Sequence, residues 1–136
     1  MGRIIIQNTL SAAAVIGVTP GYFHENERTV NLTALGILYQ DTAEKIFIKT
    51  KMYCGSIISP CRIVYREGWG CPQGGENVIY IAADCNPSYD KERPAAEFIA
   101  AWKETFISIL EALMIELGQK TVTVKFSDGE LVYLTK

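Results

Sequence analysis

Apolar and polar residues alternate through much of the first two-thirds of the chain, and a period of two predicts strands. Residues 44–54, EKIFIKTKMYC, set Ile46, Ile48, Met52 and Cys54 against Lys45, Phe47, Lys49, Lys51 and Tyr53. Residues 29–40, TVNLTALGILYQ, alternate in two phases, and the slip near Gly36 predicts a β-bulge. CRIVYREGW continues as a strand that opposes Ile63 and Tyr65 to Arg62, Val64 and Arg66. RIIIQN at 3–8 and the run Ala12 to Val18 add two more. ENVIYIAADC is apolar on both faces between Val78 and Ala83, which predicts a central, doubly covered strand.

The period changes after Pro94. Phe98, Trp102, Phe106, Ile109, Leu110, Leu113 and Leu117 fall on one helical arc, with Glu97, Glu104, Ser108 and Glu111 opposite and Gly118 as the stop. Lys103 interrupts the apolar arc, and Ile115 interrupts the acidic one. TVTVKFSDGELVYL then predicts a hairpin about Asp128-Gly129. The expected fold is α+β: a mainly antiparallel sheet covered by one long C-terminal helix at about 94–117, with a final β-hairpin. The bulge would let such a sheet curl toward a barrel.

Composition narrows the class. The 136 residues, 49% hydrophobic and 21% charged, suit a single folded domain spanning 1–136. A net charge of -2 points away from nucleic acid. No apolar run approaches the roughly 20 residues of a membrane span. Gln7, Asn8, Thr9 and Ser11 break up the apolar start that a secretory signal needs. A cytoplasmic, soluble protein is the expectation.

Three of the four cysteines lie in CGSIISPCRIVYREGWGCPQGG, residues 54–75. Their spacings, C-x6-C, C-x9-C and C-x13-C, lack the short C-x2–4-C knuckle of structural zinc sites. No metal or cofactor is expected, and Cys54, Cys61, Cys71 and Cys85 read as packed free thiols. GWGCPQGG matches neither dinucleotide nor phosphate-loop spacing.

Charge layout carries more. Between residues 45 and 66 there are five bases and no acid, interleaved with Phe47 and Tyr53. If those two strands pair, Lys49, Lys51, Arg62 and Arg66 supply positive charge, while Tyr53 and Trp69 stack on a ligand. That pattern suits an anionic small molecule, a nucleotide among the candidates, although lysines guarding an exposed strand edge explain the same residues. From Asp84 to Glu116 there are seven acids against three bases, so basic and acidic faces of different copies can dock, and a homo-oligomer is expected. Two further readings stay open. A small oligomeric enzyme would use Asp84, at the end of the apolar strand, or His24, the single histidine, for proton transfer. An assembly protein would bind no ligand.

Overall fold

The computed structural model describes residues 2–18 and 31–136. Its elements are β1 (Leu10–Gly17), α1 (Leu32–Thr50), β2 (Ile57–Ile63), β3 (Glu76–Cys85), α2 (Ala95–Glu116), β4 (Thr121–Phe126) and β5 (Leu131–Thr135). Single 3₁₀ turns occupy Glu67–Trp69 and Pro87–Tyr89.

The five strands form one antiparallel sheet in the order β2-β3-β1-β4-β5. Among the described residues the sheet is open, with β2 and β5 as its edges, and no barrel closes. Strand alternation sends Leu10, Ala12, Ala14 and Ile16 of β1 into the core beside Ile79, Ile81 and Ala83 of β3. Val122, Val124 and Phe126 of β4 complete that side. Both helices join the same core on one face of the sheet, and no other described helix covers the opposite face.

Helix α2 follows the predicted arc. Phe98, Trp102, Phe106, Ile109, Leu110 and Leu113 are all buried, each contributing about 1.5–3 kcal/mol of apolar transfer. Gly118 terminates it at φ 67°, and Gln119 N–H closes back on Met114 O at 2.9 Å. Lys103 leaves the apolar arc to reach the β4–β5 turn, where Nζ lies 2.7 Å from Asp128 and 3.2 Å from Glu130. In that turn only Gly129 takes a positive φ, and four residues separate the strands, so a longer loop replaces the tight two-residue turn.

The main departure from the sequence reading is α1, a second helix where two strands were expected across 29–40 and 44–54. Asn31 caps it, its side chain accepting from Ala34 N–H at 3.0 Å. Leu35, Leu38, Tyr39, Thr42, Ala43 and Ile46 recur at helical spacing and pack on the core, whereas Ile48 is exposed. Two further corrections concern RIIIQN, where no strand forms and Ile4 and Ile5 are exposed, and CRIVYREGW, where β2 ends at Ile63 and Glu67–Trp69 is a 3₁₀ turn.

Candidate functional site

The sheet face opposite the helices carries a cleft of about 570 Å³. That volume lies within the roughly 300–1,000 Å³ of small-molecule sites. Its floor is the outward series of the three central strands. Ala13, Val15 and Gly17 come from β1, Val78 and Tyr80 from β3, and Thr121 and Thr123 from β4. Ile63 and Tyr65 form one wall, and Gln119 and Lys120 form the opposite one. Lys125 and Leu131 lie at the far end.

The polar end is built by the segment between β2 and β3. Tyr65 hydroxyl donates to Glu76 Oε1 at 3.2 Å, and both side chains line the cleft. The backbone holds the phenol in place, since Tyr65 N–H donates to the buried Cys71 Sγ at 3.4 Å. Arg62 braces the outer side of the segment, its guanidinium donating to Gly74 O at 3.4 Å and Asn77 Oδ1 at 3.1 Å. Gly75 sits at φ 92° and presses on Ile63 O, where a Cβ would collide, so the return to β3 requires glycine. The cleft therefore offers a carboxylate, two phenol rings, two ammonium groups and apolar walls. Such a set can bind a small molecule carrying both signs of charge.

The residues singled out from the sequence lie elsewhere. Because 44–50 is helical, the expected shared sheet face of Lys49, Lys51, Arg62 and Arg66 does not form. Lys49 is exposed in the last turn of α1, and Lys51 follows it in the left-handed region at φ 63°. Tyr53 meets Phe47 edge-on at 6.3 Å between ring centres. Burial, then the nearby Glu44, raises the Tyr53 pKa. Tyr53 also borders a second hollow of about 420 Å³ with Tyr39 and Ser56. Arg66 lies 5.8 Å from the centre of the Trp69 ring, which is itself exposed. Asp84 is exposed on the open face, opposite Ser11, in a small hollow shared with Tyr80 and Lys125. His24 lies outside the described residues.

All four cysteines are free thiols, and only Cys61 is exposed. Among the described residues no three His, Cys, Asp or Glu side chains converge on a point fit for a metal ion. Nor is any described helix long and apolar enough to cross a membrane.

A protein-family model described as SAM lyase matches residues 7–135. The chain belongs to the SAM lyase family. Two solved structures of a phage SAM lyase share its fold. One, in complex with S-methyl-5′-thioadenosine, has a TM-score of 0.65 at 17% identity, covering 100% of this chain and 96% of the other. The second, in the apo state, has a TM-score of 0.60 at 17% identity, covering 93% and 89%. None of the curated proteins compared matches the chain. The family match agrees with the expected small-molecule-binding domain and does not single out a nucleotide.

The sequence offered one signal for this cleft. Ile63 and Tyr65 alternate with Arg62, Val64 and Arg66, and the cleft takes the Ile–Tyr side. Gln119 and Lys120 enter through the sheet order, which a linear reading does not reveal.

Proposed function

We propose that this protein is an enzyme that cleaves S-adenosylmethionine in the cleft on the open sheet face. The observation that carries the reading is the family match over residues 7–135. The cleft adds chemistry suited to that substrate, which combines a sulfonium, an ammonium, a carboxylate and an adenosyl group.

The proposed products follow from atom balance. S-Methyl-5′-thioadenosine keeps the methyl and adenosyl groups, so the bond that breaks joins sulfur to Cγ of the four-carbon side chain. A lyase breaks it without water. The substrate's own carboxylate attacks Cγ, a C–O bond forms as the C–S bond breaks, and the electron pair passes to sulfur. Neutral thioether and a five-membered amino-lactone result, with no proton, oxidant or metal required.

In this scheme the protein's work is to fold and desolvate the substrate. Glu76, held by Tyr65, faces the cationic portion, and Lys120 orients the carboxylate. Ring closure held in an attack geometry gains the large effective concentration of an intramolecular reaction. Sulfonium and carboxylate both lose charge as they react, so walls built of Ala13, Val15, Ile63 and Val78 favour the transition state over the charged ground state. Arg62 and Arg66 then serve by shaping the segment that carries Tyr65 and Glu76.

Self-association belongs to the same reading. Tyr133 is exposed on the edge strand β5 beside the cleft and outside its lining, and Asp84 is exposed on the same sheet face. A second copy is the complementary occupant, since it can set acids against bases around an apolar centre. Free thiols suit a reducing cytoplasm.

The test is a chromatographic time course of S-methyl-5′-thioadenosine formation from S-adenosylmethionine by purified protein, with Glu76→Gln as control. Formation by the wild type and a large loss in the variant are expected. No formation above the uncatalysed rate would overturn the reading.

A further inference from the structure

A glycine and a glutamine, far apart in sequence, meet at the polar end of the cleft. Gly17 ends β1 on the open face, opposite Val78 of β3. A Cβ at Gly17 would collide with Gln119 Oε1. The carboxamide therefore lies against the strand, in the space where any other residue would place its side chain.

The Gln119 backbone and side chain are both anchored. Gln119 follows the helix-ending Gly118, and its backbone N–H is tied to Met114 O at 2.9 Å. Its Nε2 donates to Leu117 O at 3.1 Å. Because a carbonyl accepts only from the amide nitrogen, this bond directs Oε1 toward Gly17 and the cleft. Gln119 and Gly17 both line the cleft, as do Glu76 and Tyr65, and Glu76 stands two residues before the Val78 that pairs with Gly17.

The Gln119 amide oxygen and the Glu76 carboxylate thus belong to residues that line one cleft. Their complement is a cationic group with several N–H donors. S-Adenosylmethionine has one, the α-ammonium, and its thioether product has none. Resting on the proposed function, we propose that Gln119 is a specificity residue that accepts a hydrogen bond from the substrate α-ammonium. Gly17 is a positioning residue that leaves room for the carboxamide.

The experiment uses Gln119→Ala, Gly17→Ala and the double variant, reading KM for S-adenosylmethionine and Kd for S-methyl-5′-thioadenosine. A hydrogen bond to a charged group predicts a rise in KM of about tenfold or more in each single variant. The product's Kd should stay within about twofold, since it lacks the ammonium, a fold-change well below that of one hydrogen bond. Gly17→Ala displaces only the mobile end of a side chain, so it should add nothing once Gln119 is gone. Product affinity falling in step with substrate affinity would overturn the assignment, because the carboxamide would then read the adenosyl group. Independent, additive losses would overturn the role of Gly17. A wild type that binds product but shows unchanged KM in every variant would sink this inference alone, whereas a wild type binding neither compound would sink the function beneath it.

Discussion

Tyr65 hydroxyl and Glu76 Oε1 stand 3.2 Å apart in one hydrogen bond, although the residues leave and re-enter the sheet on different strands. That contact sets the polar end of the cleft. Removing the Glu76 charge while keeping its shape, in Glu76→Gln, is expected to lower kcat/KM by about 100-fold, the scale of losing one electrostatic contact to a reacting group. Tyr65→Phe removes one hydrogen bond to a charged partner and should cost about tenfold. Steady-state kinetics on both variants checks the order; equal activity in Glu76→Gln and the wild type would remove Glu76 from the site.

Arg62 separates a structural role from a ligand role. Its contacts to Gly74 O and Asn77 Oδ1 hold the segment between β2 and β3. Arg62→Ala should destabilise the protein by about 1 kcal/mol, given the exposure of the pair. Its affinity for S-methyl-5′-thioadenosine should change by less than about threefold, short of one charged hydrogen bond. Thermal melts and calorimetric titration give the two numbers. A tenfold loss of affinity with an unchanged melt would return Arg62 to the ligand contacts.

The thiols predict both labelling and pH behaviour. Burial pushes Cys54 up to about 12 and Cys85 up to about 11 from an ordinary value of 9.0. A thiol whose folded pKa is raised contributes its full stability below the unfolded value and loses it as pH climbs toward the folded one. Stability should therefore fall from about pH 9 to pH 12, and Cys85→Ala should flatten part of that fall. At pH 8 a thiol reagent should modify Cys61 at once and Cys54, Cys71 and Cys85 only on unfolding. Rapid modification of all four in native protein would contradict the packing.

How much was legible in the sequence divides by the range of the interactions involved. Helix α2 and the closing hairpin were readable because their patterns are local: seven large apolar residues on one arc, then two alternating runs about Asp128-Gly129. Helix α1 was not, because its buried stripe passes through Thr42 and Ala43, which carry little apolar signal. The exposed Ile48, by contrast, completes a false alternation with Ile46. Packing against α2 outweighs the strand preference of its β-branched and aromatic residues. The site was hidden for a different reason. Glu76, Gly17 and Gln119 line one cleft only because β1 lies between β3 and β4, a neighbour relation set by the whole sheet.

The open face predicts self-association. Tyr133 is exposed beside Leu131 on the edge strand and lies outside the cleft lining. Tyr133→Glu places a charge in the proposed contact and should shift sedimentation velocity toward the monomer at micromolar concentration. A wild type that sediments as a monomer across that range would refute the contact.

The central claim, cleavage of S-adenosylmethionine by its own carboxylate, is tested most directly by running the reaction in ¹⁸O-water and weighing the early products. The account predicts unlabelled S-methyl-5′-thioadenosine and an unlabelled amino-lactone. A four-carbon product carrying ¹⁸O from the first turnovers would mean that water is the nucleophile, and the lyase account would be wrong.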